Sequence, residues 1–218
     1  MSTRTSARRS GRRSHGPSSG RPLWQSPFTW LFALVIVAGV LAVVLSGSDG
    51  DTDVAQTGSV EVAGAPLPAF ELPDPAVGLS VPAIEATTLA GESITIGADD
   101  GPRIYGLFAH WCPHCQAELP TLGEWLRSND LPGDLEVIAI STSVDSRADN
   151  YPPSEWFERE EWPAPVVLDS EQGDIARSMG LTAFPYWVVT DGDGAVIGRL
   201  TGRLTTDAFE QLVALATS

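Results

Sequence analysis

The chain has 218 residues, 43% of them hydrophobic, which suits one domain of ordinary size plus appendages rather than several domains. Its 13 basic residues are all arginine and its 28 acids set a formal charge of −15; its two cysteines argue against structural zinc, which usually takes two ligand pairs set well apart. Six arginines (Arg4, Arg8, Arg9, Arg12, Arg13 and Arg21) precede residue 22 and no acid precedes Asp49, so the part from Asp49 onward carries −21, a charge that suits solubility or a basic partner face.

Residues 1–22 form a basic tail. No residue between Arg21 and Asp49 is charged, and the eighteen residues from Phe28 to Leu45, extendable upstream by Leu23 and Trp24, are about enough to cross a bilayer. A single-pass transmembrane helix is therefore expected over residues 23–46. Arginines on its N-terminal side predict a cytoplasmic tail and an extracytoplasmic remainder, with Trp24 and Trp30 near the cytoplasmic interface. A cleaved signal peptide fits less well: the run is long for an apolar signal core, and Val44-Leu45-Ser46-Gly47 is a poor small-x-small cleavage site. No hydrophobic pair follows the arginine pairs, as a twin-arginine signal would need, and no cysteine closes the run as a lipoprotein anchor would need. Orientation of the anchor explains the basic tail more simply than binding of nucleic acid or anionic lipid, and no nucleic-acid partner is expected.

Residues 47–78, rich in Gly, Ser, Asp, Pro and Ala, read as a linker, with Pro66, Pro68, Pro73 and Pro75 keeping its second half extended. The folded domain is expected over residues 79–218. Leu79 to Leu89 should hold a short strand, Ala90-Gly91 a turn, and Ser93 to Ile96 a second strand. Ile104 to Ala109 is a continuous apolar run, the pattern of a central strand covered on both faces.

That strand runs into Trp111-Cys112-Pro113-His114-Cys115, and from Gln116 to Arg127 the apolar spacing of Leu119, Leu122 and Leu126 predicts a helix. The cysteines thus sit at a helix N-terminus, where unpaired N–H groups and the helix dipole favour a negative sulfur. Cys112, nearer solvent, is the expected nucleophile of disulfide exchange, and Cys115, one turn further in, the resolving thiol. Pro113 suits the first helical turn, and His114 can place partial positive charge beside Cys112, which would stabilise the reduced form and make the pair more oxidising. Glu118 lies one turn beyond Cys115. A half zinc site with His110 or His114, or a static structural disulfide, are the blander readings; the histidines stand too close in sequence to complete a tetrahedron easily, and a bond across two residues is typically reducible.

Further along, Leu131 to Asp134 breaks the helix and Leu135 to Ser141 reads as another buried strand. A polar loop with Pro152 and Pro153 leads to a short helix capped at Ser154. Val166 to Leu168 reads as a strand, Ser170 to Met179 as a helix closed by Gly180, and Asp191 to Gly194 as a hairpin turn between the strands that end near Val189 and begin at Ala195. Thr205 to Ala216 is a terminal amphipathic helix. Strands alternating with helices predict an α/β fold. His15 falls in the tail, and His110 reads as a packing residue at the end of its strand.

Trp111-Cys-Pro-His-Cys115 after a strand resembles the active site of the thioredoxin superfamily, and Cys115-Gln-Ala-Glu118-Leu-Pro120 resembles the extracytoplasmic TlpA/ResA-like branch. The Cys-Pro-His-Cys choice is similar to that of DsbA-type oxidases. This resemblance, over roughly residues 79 to 217, implies a thioredoxin-like fold, a central mixed sheet flanked by helices. It also implies a cis peptide before Pro185, with Phe184 and Pro185 binding substrate beside Trp111 and Pro113, and a role for Glu118 in tuning the thiols and moving protons. Many thioredoxins carry a buried acid where Gly106 stands, and its absence shifts proton transfer to Glu118 or water. The implied activity is thiol–disulfide exchange with secreted or membrane proteins, with no metal, haem or nucleotide cofactor and with a separate membrane redox donor or acceptor. A TlpA/ResA-like reductase is favoured. A DsbA-like oxidase or isomerase is the alternative; a thioredoxin-fold copper chaperone, a peroxidase of the peroxiredoxin type and a redox-silent binding module are readings from other classes. Copper sites of this fold typically use a wider Cys-x-x-x-Cys and a later histidine, and no histidine follows His114.

Overall fold

The structure is a computed structural model that describes residues 55–97 and 101–218. The basic tail, the expected anchor at 23–46 and the first residues of the expected linker lie outside the described residues. Among the described residues, no helix is long and apolar enough to cross a membrane.

Among the described residues, eight strands form one mixed sheet: β1 (Glu61–Ala63), β2 (Ala83–Thr88), β3 (Ser93–Ile96), β4 (Arg103–Phe108), β5 (Glu136–Ser141), β6 (Val166–Leu168), β7 (Tyr186–Thr190) and β8 (Val196–Thr201). Their order is β1-β2-β6-β5-β4-β7-β8, with β3 paired to β2. The β4–β5 and β5–β6 pairs are parallel, and the remaining pairs are antiparallel. Four helices of the described residues accompany the sheet: α1 (Pro113–Ser128), α2 (Pro153–Arg159), α3 (Asp174–Ser178) and α4 (Thr206–Ala216). This is the thioredoxin-like α/β architecture.

All six residues of β4 are buried, and its side chains alternate between two cores, as the period of two in a strand requires. Ile104 and Phe108 join Leu119 and Leu122 of α1, Trp156 and Phe157 of α2, and Phe209 and Val213 of α4. Tyr105 and Leu107 point the other way, among Ile138, Ile140, Ile175, Met179, Tyr186 and Val188.

The second face is where the structure departs from the sequence reading. α3 has five residues, not the ten expected over 170–179, because Gly173 takes φ +70° and Asp169 turns back to accept from the N–H groups of Ile175 (2.8 Å) and Ala176 (3.1 Å). So short a helix cannot cover the face. The stretch expected to be a linker covers it instead: from residue 55 it packs on the domain, with β1 in the sheet and Leu67 and Ala76 buried in the second core. Its backbone is tied by Gly58 N–H to Asp169 O (3.0 Å) and Leu67 N–H to Ser178 O (2.8 Å). The domain therefore begins well before residue 79. The first expected strand narrows to β2, since Leu79 is exposed and Ser80 forms only an isolated bridge to Ala195. Ser154 does not cap α2. Pro152 occupies the cap, and the Gln56 amide bonds both the N–H and the hydroxyl of Ser154 at 2.9 Å.

Arg199 on β8 fastens this covering segment. Its guanidinium, with no exposed side-chain surface, donates to the Asp74 carboxylate (Nε to Oδ2 3.0 Å), the Pro68 carbonyl (2.8 Å) and the Tyr186 hydroxyl (3.0 Å), and lies over the Phe70 ring. Burial pushes the Asp74 carboxyl up, but the bonds from Arg199 and the Ala76 N–H outweigh it and hold the group below its ordinary value. Removing one partner of a buried pair leaves an uncompensated charge. Arg199→Ala should therefore destabilise the fold by about 3–5 kcal/mol in urea unfolding at neutral pH. Because Asp74 titrates below its unfolded value, the wild-type advantage should shrink as pH falls through the folded value of Asp74. An effect under about 0.5 kcal/mol would place the segment's anchorage elsewhere.

Candidate active site

β4 ends at Phe108, and a tight turn closed by Cys112 N–H to Ala109 O (2.9 Å) delivers the cysteines to the start of α1. Cys112 is the cap residue in extended conformation, Pro113 opens the helix, and Gln116 N–H to Cys112 O (3.0 Å) is the first helical bond. Cys112 is 5% exposed and Cys115 wholly buried, and the two thiols are not joined to each other. Pro113 and His114 stand exposed on the first turn.

Trp111 is 39% exposed, its indole N–H donating to the Ser143 carbonyl (2.7 Å) and its ring edge-on to Phe184 at 5.8 Å. The Phe184–Pro185 peptide is cis. Trp111 and Phe184 thus meet from two distant stretches, one beside Cys112 in the chain and the other beside the cis proline Pro185. His110 proves to be more than packing. Buried to 1%, it bonds the Asp149 carbonyl through Nδ1 (2.8 Å) and meets the Asp145 N–H through Nε2 (3.1 Å), so one neutral tautomer satisfies both contacts. Its own carbonyl accepts from Gln116 and Asn150. The ring thereby fixes the loop that carries Ser143, the partner of Trp111.

Behind the cysteines lies a buried carboxylate. Glu118 is fully enclosed; Oε1 accepts from the Trp187 indole N–H at 3.0 Å and Oε2 from the Leu204 N–H. Burial raises its carboxyl to about 7, against the two hydrogen bonds and the charge of Arg203, which pull it down. Burial also pushes the Cys115 thiol far up; contact with Cys112 and the field of Glu118 add to the rise, and a bond with the Ala109 backbone opposes it. A thiol that resists ionisation thus shares one helix turn with a carboxyl that titrates near neutrality. Among the described residues, no group of three or more His, Cys, Asp or Glu side chains could hold a metal ion.

Trp187 escaped the sequence reading. The signal for it was Gly106, since a glycine inside a central strand marks a close approach. Gly106 pairs with Trp187 across β4 and β7, and a Cβ there would meet Trp187 Cζ3 at 2.7 Å and Phe108 Cε2 at 2.8 Å. The indole occupies the space that an acid at position 106 would need.

Residues 63–214 match the Redoxin family. The thiol:disulfide interchange protein DsbE homolog of Paracoccus denitrificans is 27% identical over 141 residues, covering 63% of this chain and 73% of that protein. Sporulation thiol-disulfide oxidoreductase A of Bacillus subtilis is 23% identical over 124 residues, 57% of this chain and 73% of that one. Among solved structures, a thiol:disulfide interchange protein of the thioredoxin family from Chlorobium tepidum superposes with a TM-score of 0.53 at 19% identity, over 64% of this chain and 96% of that chain, and so shares the fold.

The folded-state value of Glu118 stands above its ordinary 4.5, so the fold favours its protonated form. That contribution is complete below about pH 4.5 and is lost as pH rises through about 7. Glu118→Gln removes the titration. Measured by urea unfolding between pH 5 and 8.5, the wild type should lose roughly 1–3 kcal/mol relative to the variant. Parallel stability curves would show that Glu118 does not titrate there.

Proposed function

The chain belongs to the Redoxin family, as a thiol–disulfide oxidoreductase of the TlpA/ResA/DsbE type within the thioredoxin superfamily, and on that premise we propose that it is a membrane-anchored, extracytoplasmic reductase of disulfides in secreted or membrane proteins. The observation that carries this reading is the pairing of a near-surface Cys112 with a buried Cys115 that lies in the field of Glu118, a buried carboxyl whose proton affinity is close to neutral pH.

In the proposed cycle the Cys112 thiolate attacks one sulfur of a partner disulfide. The Cys112–partner bond forms, the partner S–S bond breaks, and the second partner sulfur leaves as thiolate and takes a proton. Cys115 then gives its proton to Glu118 and attacks Cys112 Sγ. The mixed disulfide breaks, the Cys112–Cys115 disulfide forms, and the partner sulfur leaves as thiolate and takes a proton from water, while Glu118 returns its own proton to solvent; the partner has gained two electrons and two protons. Pro185 and Phe184 position the partner, whose extended chain pairs with the backbone at residue 184 as an added strand, with Trp111, Pro113 and His114 at the rim. A separate membrane donor restores the dithiol. Residues 23–46 hold the protein in the bilayer with residues 1–22 in the cytoplasm, a reading supported by charge and hydropathy. Cys-Pro-His-Cys supports a second reading, a DsbA-like oxidase that runs the same exchange in reverse.

Direction is tested by the reduction potential of the full chain, equilibrated against glutathione. A value near or below the roughly −270 mV of thioredoxin is expected for a reductase, and one near the roughly −120 mV of DsbA would instead establish the oxidase. In either direction Cys112→Ser should abolish exchange, whereas Cys115→Ser should trap a partner on Cys112.

A further inference from the structure

We infer that Trp187 is a positioning residue for the resolving half of the exchange: its indole N–H, together with the Leu204 amide, holds the carboxylate of Glu118 ready to take the proton of Cys115. The inference rests on the proposed role of Glu118 as proton acceptor.

Its geometry leaves Trp187 one orientation. The ring is wholly buried in β7, wedged over Gly106, and packs edge-on against Phe108 at 5.4 Å and Phe209 at 5.6 Å. Held between these rings, the indole directs its one polar atom at Glu118 Oε1. An indole N–H donates and never accepts, and the same holds for the Leu204 amide at Oε2. The carboxylate therefore meets a donor at each oxygen. An ionised carboxylate suits that cradle, because it accepts at both positions. A protonated acid suits it poorly, because the oxygen carrying the proton then faces a donor. Burial works in the opposite direction, and the balance of the two leaves Glu118 able to gain and lose a proton near neutral pH.

Among the described residues, the other groups around Glu118 are few. Cys115 lies on its own helix, Arg203 approaches from the loop between β8 and α4, and β4, β7 and α4 supply the rings of Phe108, Trp187 and Phe209 to the same core. Trp187 also lies two residues beyond Pro185. The loop that supplies Leu204 bonds that proline as well, through Gly202 N–H to Pro185 O at 2.9 Å. One strand and one loop thus hold both the proton acceptor and the edge proposed to receive the partner chain.

The step concerned begins from the mixed disulfide on Cys112. The Cys115 proton passes to Glu118, Cys115 Sγ bonds Cys112 Sγ, and the partner sulfur leaves with the electron pair of the broken S–S bond. Without the indole donor the carboxylate is less stable as an anion, so its proton affinity rises and the deprotonated form appears only at higher pH.

Trp187→Phe keeps a ring in the cleft and removes the N–H. The reduced full chain is mixed with Ellman's reagent in a stopped-flow instrument: the first thionitrobenzoate released reports attack by Cys112, the second attack by Cys115. In wild type the second release should rise with a midpoint near 7. Trp187→Phe should move that midpoint up by about half a pH unit or more, with the first release and the circular dichroism unchanged, and Glu118→Gln should flatten the profile. A wild-type profile in Glu118→Gln overturns the role of Glu118 itself. A flattened profile in Glu118→Gln with an unmoved one in Trp187→Phe overturns the inference on Trp187 and leaves Glu118 standing. Should Trp187→Phe fail to fold, the assigned indole N–H resonance of Trp187 decides: it should titrate near pH 7 in wild type and cease to do so in Glu118→Gln, and a resonance that does not titrate overturns the inference.

Discussion

Burial of β4 on both faces is the constraint from which the rest of the molecule follows. A strand with no solvated face must have apolar layers above and below it, and it must hand its chain to the next element at the rim of the sheet. At that rim the chain turns through Ala109 to Cys112 and enters α1, so the reactive pair stands where a buried strand meets a helix N-terminus. One sulfur can then reach the surface while the other, a turn further in, is enclosed.

The two covering layers are built by different means, and the difference explains the odd parts of the chain. On the cysteine side, α1 and α4 lay aromatic and aliphatic side chains over Phe108 and Trp187. On the other side α3 is too short, and the cover comes from the Pro-rich stretch ahead of β2. Such a stretch has few backbone bonds of its own to hold it. Leu67 and Ala76 enter the core, and Arg199 gathers the Asp74 carboxylate and the Pro68 carbonyl into one buried cluster with Tyr186. Because Tyr186 follows Pro185 directly, the clamp that holds the cover also steadies the strand beside the cysteines.

What could be read from the sequence divides along the distance between interacting residues. The apolar run Ile104 to Ala109, the Cys-x-x-Cys turn and the periodicity of α1 are local patterns, and they sufficed to place strand, pair and helix, with Glu118 one turn on. The hairpin at Asp191 to Gly194 was legible for the same reason, as its Gly194 N–H bonds Asp191 O. Long-range partners left no such trace. Gln56 serves α2 from 98 residues away, and the indole of Trp187 meets Glu118 across 69. Proline and glycine made residues 47–78 look like a linker because an extended covering segment and a free tether need the same backbone; only the anchors Leu67, Phe70 and Ala76, packed into the second core, tell them apart. At Gly106 the missing side chain suggested a lost acid, whereas in space it makes room for an indole.

That substitution of an indole for an acid changes how the buried chemistry is powered. A carboxyl buried next to a buried thiol faces two penalties, since each group resists ionisation and each opposes ionisation of the other. In isolation both would stay protonated at neutral pH, and the resolving sulfur would have no base. Two fixed N–H donors shift the balance toward one of the pair. They stabilise charge on Glu118 and make no bond to Cys115, so in the proposed cycle the proton has a direction in which to move when Cys115 reacts. A second buried acid could not do this, because it would bring another desolvated charge to the same cleft. A neutral donor backed by an aromatic core does so without adding charge, and at the same time it fills the space over Gly106 in the strand that leads to the cysteines.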